Sequence, residues 1–227
     1  MTGQEPTAPL PIVVLISGGG TNLQAILDRA AAGTLPVEVR AVISNRADAR
    51  GLERARSAGV PTEVINHRDY PDRAAFDAEL ARRIDAHEPA LVVLAGFMRI
   101  LTDDFVTRYT GRMLNVHPSL LPRHKGLDTH RRALEAGDAE HGSSVHFVTP
   151  GVDDGPVVIQ ARVPVNPDDS PEAIEDRVRP REYIILPQAI RLFAEGRLRL
   201  EDETVLLDGA PLEGPLPPEE EPAGGAG

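Results

Sequence analysis

The feature that most constrains this chain is an alternation, from residue 11 to residue 117, between short apolar β-branched runs and longer stretches of helical period. PIVVLIS (11–17), VEVRAVIS (37–44), TEVI (62–65), ALVVLAG (90–96) and RMLNVH (112–117) are separated by NLQAILDRAAAG, ADARGLERARSAG, DRAAFDAELARRIDAH and DDFVTRY. Runs such as VVLI and LVVLA have no polar face, as a strand covered on both sides requires. Strands of that kind joined through helices form a parallel sheet with right-handed crossovers. After residue 140 the pattern changes. SSVHFV (143–148) and PVVIQARVPV (156–165), joined by TPGVDDG, predict a hairpin added to the sheet. Ser170 has the side chain of an N-cap, and a helix from there to Glu195 closes the unit, with Pro180 and Pro187 expected to kink or interrupt it. The predicted class is α/β: a Rossmann-like, mostly parallel sheet in the N-terminal half, extended by a C-terminal β-hairpin and a long closing helix.

The 227 residues, 41% of them apolar, suit one domain with a sizeable core. Residues 1–10 and 208–227 mix Pro, Gly and polar residues with little to bury, and are predicted to be disordered tails around a domain at 11–207. No stretch approaches the ~18 apolar residues of a membrane span, and the start lacks a basic segment followed by an apolar one. A soluble, cytoplasmic protein is expected, with no membrane partner. Cysteine is absent, which excludes disulfides, thiolate nucleophiles and Cys-ligated zinc. The formal charge of −11 is unevenly placed. Residues 201–227 hold eight acids and no base, so residues 1–200 carry 27 acids against 24 bases.

The first strand ends in SGGGTNLQAI (17–26), with three glycines and a Thr-Asn pair between a buried strand and the first turn of a helix. Glycines let an anion approach the main chain, and the helix N-terminus adds positive potential. The dinucleotide fingerprint fails because Leu23 stands where a third glycine belongs and Ser44-Asn45 close the second strand without an acid. The Walker pattern fails for want of a lysine. A monophosphate site and a plain tight turn both remain open.

Asn115 and His117 are two residues apart in a strand, so both side chains emerge on one face at its carboxyl end, the edge where open α/β sheets gather ligands. Pro118 and Pro122 restrain the exit from that strand. TPGVDDGP offers Asp153 or Asp154, which flanking glycines can turn back toward the edge or which serve only as turn formers. Asn, His and Asp without a Ser or Cys nucleophile suit direct transfer of an acyl-type group. The amide donates to a developing oxyanion, the imidazole moves the proton and the carboxylate holds the imidazole. Such an aspartate would raise the imidazole pKa. His117, His124, Asp128, His130, His141 and His146 are numerous enough to raise a metal site, but no His-x-x-x-His pair occurs. No metal is expected.

VVLISGGGTNLQAI, SNRADARGLERA, VVLAGFMRIL, MLNVHPSLLP and HGSSVHFV followed by DDGPVVIQARVPV resemble, in order and spacing from about residue 11 to 200, the phosphoribosylglycinamide formyltransferases of purine biosynthesis. NVHPSLLP with a downstream Asp-x-Gly-Pro is a specific signature of folate-dependent formyl transfer. The resemblance implies 10-formyltetrahydrofolate as co-substrate, glycinamide ribonucleotide as acceptor, and Asn115, His117 and Asp153 as the catalytic trio. It implies a phosphate- and nucleotide-binding half at 11–110 and a catalytic and folate half at 111–207. Gly20, Thr21, Asn22, Arg179 and Glu182 would hold the ribonucleotide. Arg73, Met98, Arg99, Ile100, Leu101, Asn115 and Thr149, Pro150, Gly151, Val152 and Asp153 would hold the folate, with Arg73 at its acidic end. The implied partners are these small molecules, without nucleic acid, in a monomer or homodimer. Methionyl-tRNA formyltransferase and formyltetrahydrofolate deformylase share the chemistry but normally add a further domain. A nucleotide-binding module without catalysis is a third alternative, one that has no need of the trio.

Overall fold

The structure, a computed structural model, describes residues 8–219. In chain order the elements are β1 (Leu10–Ile16), α1 (Thr21–Ala31), β2 (Val37–Ser44), α2 (Arg50–Ser57), β3 (Thr62–Val64), α3 (Arg73–Ala86), β4 (Leu91–Leu94), α4 (Asp103–Arg108), β5 (Met113–His117), α5 (Thr129–Glu135), β6 (Glu140–Phe147), β7 (Val157–Pro164), α6 (Pro171–Ala194), β8 (Leu198–Glu201), β9 (Thr204–Leu207) and β10 (Ala210–Pro211). The first seven strands form one sheet in the order β3-β2-β1-β4-β5-β6-β7. β1 to β5 are mutually parallel, and β6 and β7 add on antiparallel. The predicted parallel sheet and added hairpin are both present. The chain winds outward from β1 to β3 and resumes at β4 on the other side of β1, so loops leaving β1 and β4 diverge and open a crevice between them.

Alternation along β1 divides its fully buried side chains between two cores. Ile12, Val14 and Ile16 pack with Leu23 and Ile26 of α1 and with Ile185, Ala189 and Ile190 of α6. Val13 and Leu15 pack with Phe76, Leu80 and Ile84 of α3 and with Phe105 of α4. Each such side chain contributes about 1.5–3 kcal/mol by leaving water.

The closing helix departs from expectation. It starts as predicted, with Ser170 Oγ accepting from Ala173 N at 3.2 Å, but α6 then runs unbroken through Pro180 and Pro187. An interior proline costs a helix about 3 kcal/mol. Ile174, Val178, Ile185, Leu186, Ala189, Ile190 and Leu192 are all buried along α6, and their combined burial exceeds two such penalties.

The expectation of disorder from residue 208 onward fails for residues 208–219. β10 pairs with β9, completing a small antiparallel sheet β10-β9-β8. Farther on, Leu216 N donates to Val158 O at 2.8 Å and Gln160 N to Leu216 O at 3.0 Å, so the tail pairs with the sheet's edge strand. Gln188 Nε2 donates to Pro217 O at 3.2 Å, and Glu219 N donates to Gln188 Oε1 at 2.9 Å. Composition measures what side chains can bury, and misses that β7 leaves backbone groups in need of partners. β1 likewise begins at Leu10, within the predicted N-terminal tail. Residues 1–7 and 220–227, the remainder of both predicted tails, lie outside the described residues. Deleting residues 208–227 is expected to lower the unfolding free energy by about 1–3 kcal/mol, from the lost edge pairing and the cover given by Leu212 and Leu216. Urea unfolding of the truncated chain measures it, and unchanged stability would refute the structural role.

The segment after β5 is pinned by polar contacts. Ser144 Oγ donates to Ser119 O at 2.7 Å, Ser119 Oγ to Arg123 O at 2.7 Å, and His124 Nε2 meets Asp138 Oδ2 at 2.6 Å. His141, 1% exposed, lies 3.1 Å from His130 Nδ1. Burial first, then the neighbouring His130 and His124, push its pKa down from 6.5 to about 4. As pH falls through this window the unfolded chain takes up the proton before the folded one, so stability is lost from about pH 6.5 to about pH 4. His141→Gln should flatten that loss in unfolding measurements across the same range. An unaltered slope would assign the loss to other groups.

Candidate active site

The loop leaving β1 is tied to the exits of β2 and β4 through one residue. Ser17 N donates to Gly96 O at 3.1 Å, Ser17 Oγ donates to Asn45 Oδ1 at 2.6 Å, and Met98 N donates to Ser17 Oγ at 2.7 Å. Gly20 caps α1 at φ 71°, a left-handed conformation. A Cβ there would sit 2.4 Å from Gly51 Cα, and one on Gly51 would sit 2.5 Å from Ile16 Cδ1. Two backbones thus meet where a side chain on either would separate them. Gly51 escaped the sequence reading. Its one signal is a glycine at the second position of a helix, where propensity disfavours it.

Below this loop lies a cleft of about 590 Å³. It brings together Gly20, Thr21 and Asn22, Met98 and Arg99, and Arg179 and Glu182, with Asn45, Arg46 and His67 added to what the sequence singled out. Asn22 Nδ2 donates to Glu182 Oε2 at 2.8 Å, while Asn22 Oδ1 is buried without a partner among the described residues. Desolvation pushes the Glu182 carboxyl up to about 7 against the opposing effects of Asn22 and Arg179. Arg179 pairs with Glu175 and, at 3.3 Å, with Asp176.

Asn115, His117 and Asp153 are brought together beside this cleft, on the opposite face of β5 from the cleft-lining Val116. The 149–155 loop turns back because Gly155 lies against Phe147 O, where a Cβ would come within 1.8 Å. Asp153 Oδ2 is then 3.3 Å from His117 Nδ1 and accepts from Gly126 N at 3.0 Å. Asp153 Oδ1 accepts from Asn115 Nδ2 at 3.3 Å. Of the two candidate aspartates, Asp154 instead pairs with Lys125 at the surface.

Burial alone would raise the Asp153 carboxyl; His146, His117 and the Gly126 amide outweigh it and hold it below the usual carboxylate range. For His117 the balance reverses. It is 6% exposed, and burial outweighs Asp153 and the His124 carbonyl at 3.1 Å, so its pKa is lowered. The expected increase is therefore corrected. A neighbouring carboxylate acts as anticipated but is overtaken by a desolvation term that depends on how deeply β5 is covered.

Of the remaining folate-side candidates, Met98 and Arg99 line the cleft and the others do not. Met98, Ile100 and Val152 are exposed apolar side chains on the loops after β4 and β6, joined by Leu127, which the sequence reading did not single out. Leu101 packs against the second core. Thr149 is partly buried, whereas Pro150 and Gly151 are exposed. Arg99 stacks over Phe76 at 6.0 Å, its Nε buried without a partner among the described residues. Arg73 opens α3 and is exposed, one turn before the buried Asp77. Among the described residues no cluster of three or more His, Asp or Glu side chains could hold a metal ion. No described helix is long and apolar enough to cross a membrane.

Comparison with known proteins agrees with this geometry. Residues 10–190 match the family model described as formyl transferase. Phosphoribosylglycinamide formyltransferase of Escherichia coli (strain K12) is 54% identical over 201 residues, 88% of this chain and 95% of that protein. The structure of phosphoribosylglycinamide formyltransferase from Coxiella burnetii matches with a TM-score of 0.87 at 53% identity, over 92% of this chain and 100% of that one. A formyltetrahydrofolate deformylase from Pseudomonas putida KT2440 matches at 26% identity and a TM-score of 0.79, over 90% of this chain and 72% of that one. With a matching family model over most of its length and a relative of this identity covered almost end to end, the chain belongs to the formyl transferase family.

Proposed function

We propose that the chain transfers the formyl group of 10-formyltetrahydrofolate to the amino group of N1-(5-phospho-D-ribosyl)glycinamide, giving the formylated ribonucleotide and tetrahydrofolate in de novo purine (IMP) synthesis. The carrying observation is the meeting of Asn115, His117 and Asp153 at one sheet edge in a chain 54% identical to an enzyme named for this reaction. The deformylase, at 26% identity, is a remote neighbour by comparison. We place the reaction in the cytoplasm, in keeping with the enzymes of small-molecule biosynthesis it resembles.

The ribonucleotide occupies the cleft, its phosphate on the amides of Gly20, Thr21 and Asn22 at the start of α1, where main-chain donors and the helix dipole favour an anion. Arg179 and Glu182 line the same cleft and contact the rest of the nucleotide. The folate lies along Met98–Leu101 and Thr149–Asp153, whose exposed Met98, Ile100 and Val152 offer apolar surface to its rings, with Arg73 at its acidic end. No metal takes part.

The amine attacks as the free base. Charge develops on the formyl oxygen, which Asn115 Nδ2–H stabilises, and the proton shed by nitrogen passes to His117 and on to the departing folate N10. A lowered His117 pKa suits this order of events, because the imidazole waits in the neutral form. Once protonated, it faces Asp153 Oδ2 at Nδ1 and the His124 carbonyl at Nε2, two acceptors that stabilise imidazolium while the intermediate lasts.

Asn115→Ala and His117→Ala, each shown folded, should lose about 10²–10⁴ in turnover, followed by the absorbance of tetrahydrofolate formed from a 10-formyl folate. Normal rates would sink the proposal. Tetrahydrofolate formed without ribonucleotide would indicate a deformylase. The acid limb of kcat should reach its midpoint below pH 6.5, since His117 must lose its proton to accept one. Asp153→Asn removes the one influence raising that pKa by charge. It should therefore move the limb further toward acid while lowering the plateau, and a shift toward alkaline pH would contradict the assignment.

A further inference from the structure

Asn115 is held by a histidine that the reaction above leaves unused. His146 stands opposite Asn115 in the antiparallel register of β5 and β6 and is 2% exposed. Its Nδ1 lies 2.9 Å from the Phe147 carbonyl. A carbonyl only accepts, so Nδ1 carries the hydrogen and Nε2 of the neutral ring presents a lone pair. That lone pair faces Asn115 Nδ2 at 3.1 Å, and Asp153 Oδ1 faces the same nitrogen at 3.3 Å. With the amide reversed, its oxygen would meet the imidazole lone pair and a carboxylate oxygen, three acceptors without a donor. Two fixed acceptors thus decide which end of the amide is which.

They differ in how readily each gives up its hydrogen. The ring of His146 cannot turn without losing Phe147. Asp153 makes the longer contact, and its other oxygen already has the Gly126 amide at 3.0 Å and His117 at 3.3 Å. A developing oxyanion competes for a donor more easily with Asp153 than with His146. We infer that His146 is a positioning residue for formyl transfer: it engages one N–H of Asn115 so that the other, shared with Asp153 at rest, turns to the oxyanion. This rests on the reading of Asn115 as oxyanion donor.

Two substitutions separate the acceptor from the fold. His146→Gln keeps an acceptor at the place of Nε2, whereas His146→Asn keeps a donor for Phe147 but is too short to reach Asn115. The asparagine variant is expected to lose about 10- to 100-fold in kcat, as when a buried donor loses its acceptor. Its KM for both substrates should stay within about 3-fold, because the lost interaction belongs to the transition state. The glutamine variant should recover most of kcat. The double variant Asn115→Ala/His146→Asn should be no slower than Asn115→Ala alone, since His146 acts through that amide. Thermal unfolding establishes that each variant is folded, and His146→Met, which fills the space without a comparable acceptor, substitutes for His146→Asn if that variant is not. Parental kcat in the acceptor-less variant, or a loss that multiplies onto Asn115→Ala, would overturn the role of His146. Normal turnover in Asn115→Ala would instead overturn the formyl-transfer reading beneath it.

Discussion

Everything at the site depends on a strand that has water on neither side. From Ile12 to Ile16 every side chain of β1 is fully buried, which commits helices to both faces and fixes β1 as the centre from which the chain winds in opposite directions. The divergence of the loops after β1 and β4 follows from that reversal. Ser17, the first residue past the buried run, converts the divergence into a rigid rim by bonding to both Asn45 and the Met98 amide. Asn115, His117 and Asp153 sit one strand farther on, because Leu94 of β4 pairs with Asn115 of β5. That pairing puts the carboxyl end of β5 beside the crevice. A side chain at Gly51 would disturb the same region from behind, by pressing on Ile16 and on Gly20 at the head of α1.

What was legible in the sequence was whatever a local period or a strand end determines. Two-sided burial of β1 and β4, the added hairpin, the Ser170 cap, and Asn115 with His117 on one face all follow from spacing of a few residues. What was not legible depends on partners distant in sequence. Asp153 reaches His117 across 36 residues, and only the resemblance to a known family, not turn chemistry, chose it over Asp154. The tail could not be placed from composition because its role is to satisfy the backbone of β7, which no hydropathy scale records. The His117 pKa was misjudged for a related reason: the Asp153 charge can be anticipated from a motif, but the depth of cover over β5 is a property of the whole fold.

The charge of the chain raises a question, since both proposed substrates are anions. Part of the answer lies in how the acids are used. Asp208 is bound by Arg197 at 2.8 Å, and Glu219 pairs with Arg191 on α6, so these acids of the terminal region are matched by arginines of the body. Exposed pairs of this kind add little stability, yet they localise negative charge away from the cleft. There Glu182, with its carboxyl raised to about 7, is partly neutral at physiological pH and repels a phosphate ester less than an ordinary carboxylate would. Of the arginines lining the same cleft, Arg46 and Arg179 are themselves paired with Asp48, Glu175 and Asp176, while Arg99 stacks over Phe76. In the proposed binding mode the main-chain amides at the start of α1 add to what Arg99 offers an anion, and the left-handed Gly20 at the head of that helix sets their direction.

The same economy governs the reacting centre. Desolvation disfavours every charged form buried there, and a site that moves a proton must pass through one. Here the carboxylate is the group kept charged, its oxygens accepting from the Gly126 amide and from Asn115 Nδ2, while the imidazole is kept neutral by the burial that Asp153 only partly offsets. The cost of creating imidazolium is met by acceptors already in place at both ring nitrogens, so little rearrangement of the surroundings is needed when the proton arrives. An arrangement with the opposite balance, a carboxylate strong enough to keep His117 protonated at rest, would place the proton before the amine could release one. In the proposed reaction the deep cover of β5 is thus part of the chemistry: it sets the imidazole to receive a proton, and the carboxylate beside it decides how long the proton stays.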